Sequence, residues 1–250
     1  MRWSERQRSM LQAMGVRLFG PEQPPDIAPS PVRPEPVEGP SNPQGERATV
    51  PKAETARPEI ATLEWPALRE AVASCRACAL CESRQQTVFG TGHPRAHWFI
   101  VGEAPGEQED RQGEPFVGES GKLLDNMLRA LALTRDEGPP ERQVFIANTL
   151  KCRPPKNRNP VPAETAQCAP FLERQIALVQ PRIILAMGRF AAHALLASEE
   201  PLGKLRGRVY AYRGVPLVVT YHPAYLLRTL ADKARAWEDL CLAASVVEGS

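Results

Sequence analysis

The sequence predicts a three-layer α/β/α domain around a central, mostly parallel four-stranded sheet, preceded by a disordered N-terminal region. Three observations carry this. Four short apolar runs, 98–101, 144–148, 183–187 and 217–221, have room for helical patterns between them. Apolar runs without alternation read as strands covered on both faces, and strands alternating with helices read as a parallel sheet. Each run also stops at a polar or glycine signature: Gly102-Glu103, Asn148, Gly188-Arg189 and Tyr221-His222. In a parallel sheet those ends share one edge, where open α/β sheets place their ligands.

Composition narrows the possibilities. The 250 residues suffice for one core with appendages, and 42% hydrophobic content is adequate to fill it. A net charge of +2 gives no global field for nucleic acid, so a local basic patch would be required. No apolar run approaches the length of a membrane span, and the N-terminus shows no secretory apolar segment. A cytoplasmic protein is therefore expected, and it is taken to be a monomer. In that compartment six cysteines suggest ligands or free thiols more than disulfides.

From the start of the chain, residues 1–20 form one unit. Met10, Leu11, Met14 and Leu18 fall roughly on one helical face within 5–19, and Gly20-Pro21 closes the segment. An isolated helix of this length is marginal in water. It reads as a transient helix or as a partner-docking motif. Residues 21–61 form a linker: positions 21–60 hold 11 prolines and few large apolar residues, too little to offset ordering entropy. The folded domain is expected over 62–250. A helical stretch at 62–83 carries Cys75, Cys78 and Cys81, and a turn-rich approach, Val88 to Gly92, leads to the first strand.

The chemistry concentrates in residues 98–121, WFIVGEAPGEQEDRQGEPFVGESG. The strand stops at Gly102, and Gly-Glu-Ala-Pro-Gly makes a tight loop beyond it. Glu107, Glu109 and Asp110 follow, then Phe116 held in a turn. Ser120, Gly121 and Lys122 open a helix whose free N–H groups favour an anion such as phosphate. An ordinary strand–loop–helix connection has a similar composition. The remaining strand ends add Asn148 and His222, and the four groups Glu103, Phe116, Asn148 and His222 can converge at one edge. Singly, Asn148 is also a common turn residue, and a histidine before proline such as His222 a common surface or cap residue. Helices are expected at 122–133, 163–179, 191–196 and 231–246, with a hairpin about Gly214.

The cysteines give a second signal. Cys75 and Cys78 form a CxxC pair, whereas Cys152 and Cys168 are widely separated. Zinc usually draws on two close pairs, and one close pair plus two distant thiolates also suits a 4Fe-4S cluster. Cys81 competes for ligand duty, but Cys152 and Cys168 are preferred, with Cys81 a free thiol and Cys241 in the core. Lys151, Arg153, Lys156 and Arg158 crowd the loop beside Cys152. A loop pinned by a ligand and rich in cations suits contact with a phosphate backbone.

These motifs resemble the iron–sulfur uracil-DNA glycosylases, family four of the uracil-DNA glycosylase superfamily. The resemblance runs from about Leu63 to Val247. It rests on GEAPGEQED at 102–110, EPFVG at 114–118, NTLKCRPPKNRNP at 148–160, HPAYLLR at 222–228 and cysteines 75, 78, 152 and 168. It implies hydrolysis of the N-glycosidic bond of uracil in single- or double-stranded DNA. Phe116 would stack on the extruded base, Asn148 would read its polar edge and His222 would donate to O2. Gly102 and Ala104 would line the pocket. Glu103 and Glu109 would position water or form the wall that rejects thymine's methyl. Ala104 stands where related families have a catalytic Asp. Leu226 would enter the duplex as a wedge, with Arg228 beside it. The resemblance also leaves two alternatives: a covalent uracil-DNA binder, disfavoured because residues 149–165 contain no histidine, or a non-enzymatic iron–sulfur protein associated with replication.

Overall fold

The computed structural model describes residues 59–249, so the helical segment expected at 5–19 and most of the proline-rich linker lie outside the described residues. A 3₁₀ turn at Ile60–Thr62 buries Ile60 against the body. Helix α1 (Trp65–Ala73) follows, starting with Pro66 in its first turn, where a missing N–H costs nothing. The helix expected over 62–83 is interrupted, and after a turn only α2 (Leu80–Ser83) resumes. The interruption has a partner: Arg84 Nη2 donates to the carbonyls of Ala73 (3.3 Å) and Cys75 (2.8 Å). It thereby satisfies acceptors at the end of α1. Cys75 and Cys78 therefore sit in a turn.

The sheet has six strands where four were expected. They are β1 (Thr91–Gly92), β2 (Trp98–Gly102), β3 (Val144–Asn148), β4 (Ile183–Met187), β5 (Val209–Tyr212) and β6 (Val215–Thr220). Their order is β1-β3-β2-β4-β6-β5. The four expected strands pair in parallel, and β1 and β5 add antiparallel edges. Every residue of β2, β3 and β4 is buried, as a sheet covered on both faces requires. Successive residues alternate between layers. Phe99, Val101, Phe145 and Ala147 face α1, α5 (Pro162–Val179) and α6 (Arg189–Leu196). Trp98, Ile100, Val144 and Ile146 face α4 (Glu119–Ala130) and α9 (Lys233–Glu248). The short helices α3 (Glu107–Gln112), α7 (Leu202–Leu205) and α8 (Pro223–Leu226) complete the domain.

The chain leaves β2 toward β3, then crosses back from β3 to β4 on the other side of β2. That reversal opens a crevice at the carboxyl ends of β2 and β4, the place where such sheets bind ligands.

Candidate active site and cysteine centre

The crevice is a cavity of about 710 Å³, lined by Glu103, Ala104, Glu109, Phe116, Asn148 and His222 among others. Its volume falls within the range of about 300–1,000 Å³ typical of small-molecule sites. The register of the sheet explains the convergence: Gly102 pairs directly with Asn148 at the ends of β2 and β3. Beyond them Thr149 N–H donates to Gly102 O (3.0 Å) and Leu150 N–H to Glu103 O (3.1 Å), so the two loops leave the sheet together.

Gly102 is required by its neighbours. A methyl group there would stand 2.3 Å from Asn148 Oδ1 and 2.7 Å from Phe116 Cζ. Gly102→Ala should therefore leave the strand intact and displace both side chains. Misplacement by about 1 Å can cost about 10²-fold in rate, and single-turnover kinetics beside a melting curve would show a loss of that order with little change in melting.

Phe116 holds a left-handed backbone (φ 56°), a costly state for an aromatic residue that the surroundings must impose. Two ties impose it. Arg135 Nη1 donates to the carbonyls of Pro115 (3.1 Å) and Phe116 (3.2 Å). Val117 N–H donates to Glu109 Oε1 at 3.1 Å. The first turn of α4 then packs so closely that a Cβ at Gly121 would lie 1.8 Å from the Phe116 carbonyl oxygen. The Phe116 ring lies against that of His222, centroids 5.4 Å apart.

His222 caps α8: its Nδ1 accepts from Ala224 N–H at 3.1 Å. With Nδ1 used as an acceptor, the proton of the neutral ring belongs on Nε2. Burial, reinforced by the Arg228 charge, pushes its pKa down to about 4. The imidazole is thus a neutral donor throughout the physiological range. By NMR the His222 ring should show no titration between pH 8 and 5. Because its folded pKa lies below the ordinary value, its contribution to stability is complete above about pH 6.5 and declines as pH falls toward 4. A midpoint near 6.5 for this ring would contradict the burial argument.

The two cavity carboxylates differ. Glu103 is partly buried, and burial raises its pKa while Arg189 opposes the shift. Glu109 is held by the backbone: Oε2 accepts from Gly106 N–H (3.1 Å), and Oε1 from Val117 and Gly118 N–H (3.1 and 3.3 Å). It ties the loop after β2 to the loop carrying Phe116, a positioning task its place in the sequence did not reveal. Ser120 also lines the cavity, at the start of α4, and Ala104 supplies wall without a carboxylate.

Two expected DNA contacts are corrected. Lys151 is 1% exposed, and its Nζ donates to Asn148 O (2.8 Å) and Gln175 Oε1 (2.7 Å), so it is closed to phosphate. Leu226 is 1% exposed within the core beside α4, whereas Leu227 and Leu230 are exposed at 42% and 63%. The first turn of α8 points Leu226 inward. Among the other cations, Arg153 pairs with Glu107 (3.4 Å), Arg158 with Glu164, and the exposed Lys122 with Glu119 (2.6 Å). Lys156 is exposed, and Arg228 is exposed on the cavity lining.

A second recess gathers Cys75, Cys78, Cys81, Cys152 and Cys168. Cys75 and Cys78 lie close enough to act electrostatically on Cys152, Cys152 and Cys78 act on Cys168, and Cys81 acts on Cys78. Burial raises the Cys152 thiol and pushes Cys168 up to about 12. Arg84 Nη1 donates to Cys152 Sγ (3.1 Å) and Lys151 N–H to Cys168 Sγ (3.4 Å). Among the described residues no group of three or more His, Cys, Asp or Glu stands in an arrangement that could hold a metal ion. The donor set is all sulfur with N–H donors to two of the sulfurs, chemistry that is compatible with an iron–sulfur cluster.

Fold and site together define an open α/β domain whose switch-point cavity offers an aromatic face, an amide and a neutral imidazole donor to a small planar polar ring. Comparison with known proteins gives that class a family. A model of the uracil DNA glycosylase superfamily matches residues 89–241. The chain is 43% identical over 169 residues to the type-4 uracil-DNA glycosylase of Sulfurisphaera tokodaii, covering 64% of this chain and 74% of that protein. It is 40% identical to the type-4 uracil-DNA glycosylase of Archaeoglobus fulgidus, covering 62% and 79%. It is also 40% identical to that of Pyrobaculum aerophilum, covering 70% and 90%. The chain belongs to the uracil DNA glycosylase superfamily, in its type-4 family.

Proposed function

We propose that this protein is a DNA-repair glycosylase that draws uracil out of DNA and hydrolyses its N-glycosidic bond, leaving an abasic site. The observation that carries the reading is the meeting of Phe116, Asn148 and the neutral His222 in one cavity of a type-4 family member. An enzyme acting on a base must first remove it from the stack. Stacking on the Phe116 ring holds the base, worth about 1–3 kcal/mol by analogy with single-strand binders. The Asn148 amide both donates and accepts, matching uracil's adjacent O4 and N3–H.

Bond cleavage leaves positive charge on the sugar and negative charge on the base. The His222 Nε2–H donates to O2 as that charge grows, and because the ring is neutral it stabilises the anion through a hydrogen bond and not through a positive charge. Glu103 is the cavity carboxylate assigned to the incoming water, since both oxygens of Glu109 are held by backbone N–H groups. The raised Glu103 pKa favours that role.

The cysteine recess is assigned to a 4Fe-4S cluster on Cys75, Cys78, Cys152 and Cys168. When bound it supplies covalent ties between the α1–α2 turn, the loop after β3 and helix α5. Lys122, Lys156 and Arg228 are the exposed cations assigned to DNA phosphates. Arg153 joins them by exchanging its ion pair with Glu107, and the exposed Arg158 joins them while still paired with the buried Glu164. Leu227 and Leu230, in place of Leu226, offer the apolar surface that would enter the duplex. Residues 62–250 form the glycosylase domain, and residues 5–19 would dock a protein partner. A cytoplasmic location belongs to the same proposal. Among the described residues no helix is long and apolar enough to cross a membrane.

The test uses matched oligonucleotides carrying one uracil, thymine or cytosine, treated with alkali after incubation and run in parallel on a denaturing SDS gel. Alkali-labile cleavage confined to uracil, with no adduct, is expected. Equal cleavage of thymine DNA, or an SDS-resistant adduct, would overturn the reading.

A further inference from the structure

Lys151 is among the largest fully buried side chains of the protein, and its partners join the two centres described above. Its backbone N–H reaches Cys168 Sγ at 3.4 Å, and its chain neighbour is Cys152. Its Nζ reaches back to the carbonyl of Asn148 at 2.8 Å and across to Gln175 Oε1 at 2.7 Å. Gln175 Nε2 in turn donates to Phe89 O at 2.8 Å, so the amide orientation of Gln175 is fixed from both ends. Gln175 lies on α5, the helix that also carries Cys168. A continuous buried chain therefore runs from the cysteine-bearing helix to the peptide that follows the end of β3.

That peptide sets the position of the Asn148 side chain. The ladder fixes Asn148 from one side through Gly102, and the amide packs so close to that glycine that a Cβ there would lie 2.3 Å from Asn148 Oδ1. Burying an ammonium group is costly unless its hydrogen bonds are made, and once made they are difficult to rearrange. A structural filler at this position would be an aliphatic residue. A lysine with oxygen acceptors on two elements instead fixes the distance between them.

We propose that Lys151 and Gln175 are positioning residues for base recognition, coupling the cysteine centre to the Asn148 amide that reads the base. This rests on the functional reading above. It gives the cysteine centre a consequence at the pocket: whatever fixes Cys152 and Cys168 also fixes Lys151, and through it Asn148.

The experiment uses the full chain with iron content verified, in four forms: wild type, Lys151→Met, Gln175→Leu and the double variant. Three quantities are read: melting temperature, inhibition by free uracil, and single-turnover excision of uracil from an oligonucleotide. Free uracil probes the pocket without DNA contacts or chemistry. Leaving one buried partner unsatisfied is costly, whereas replacing both with apolar groups can be close to neutral. The double variant should thus recover part of the melting temperature lost by the single variants. It should not recover uracil binding, which is expected to stay weakened at least tenfold in all three variants, with excision falling in step. Uracil inhibition within twofold of wild type in the variants, or inhibition that follows melting temperature and returns in the double variant, would overturn the proposal. Wild-type protein inactive on uracil DNA would instead refute the functional reading on which it rests.

Discussion

His222→Ala is expected to lower single-turnover excision of uracil by about 10²–10³-fold, the usual cost of removing one donor from a site of developing negative charge. The effect should fall on the chemical step. The ring is a neutral donor held in place by Ala224 N–H on Nδ1 and by contact with Phe116, and in the proposed mechanism it stabilises negative charge on the departing base. DNA affinity, set by phosphate contacts, should change little. His222→Gln retains an N–H donor and should recover part of the rate. Because Gly188 packs against the His222 Cβ, alanine keeps that contact and the fold should survive. An alanine variant within threefold of the wild-type rate would contradict the role given to the imidazole.

On the proposed 4Fe-4S assignment, Cys152→Ala is expected to abolish the visible absorption of the cluster, lower the iron content and depress the melting temperature. Cys152 is 5% exposed and receives a hydrogen bond from Arg84, which also holds the end of α1. Removing the sulfur strips a ligand and leaves the guanidinium facing an apolar methyl. Where a metal centre fixes the folded state, its binding free energy is folding free energy. The loop after β3 should loosen as well, and excision would fall as a secondary effect. An unchanged visible spectrum would hand the ligand position to Cys81, which lines the same recess.

The central strands were legible because all of their residues are buried. An apolar run such as Val144 to Ala147 has no other soluble destination than a covered strand, and Gly102, Asn148 and His222 at the ends pointed to one edge. The edge strands were less legible. Thr91–Gly92 is two residues long and carries no periodicity, whereas Val209–Tyr212 was legible as one arm of the hairpin about Gly214 but, being half exposed, not as an edge of the sheet. The site residues that announced themselves are those a fold has little reason to place at strand ends. The residues that hold them did not. Glu109 looked like a free carboxylate because nothing in its neighbourhood shows that three backbone N–H groups will converge on it. Lys151 looked like a phosphate contact because lysine is usually exposed. Its burial depends on Gln175, 24 positions away, and no local pattern records that. Leu226 and Leu227 are indistinguishable in composition, and only the start of α8 at Pro223 decides which one faces the core. Arg84 and Arg135 act through backbone carbonyls distant in sequence, and their role was visible only in the fold.

The most direct measurement is the release of free base. Iron-verified protein would be incubated with DNA containing a single uracil, and the small-molecule fraction and the DNA would be weighed by mass spectrometry. Free uracil and abasic DNA in equal amounts, with an unbroken backbone and no protein–DNA adduct, is the expected result. DNA recovered with its uracil in place, or uracil lost into a covalent protein complex, would contradict the assignment of a hydrolytic uracil-DNA glycosylase.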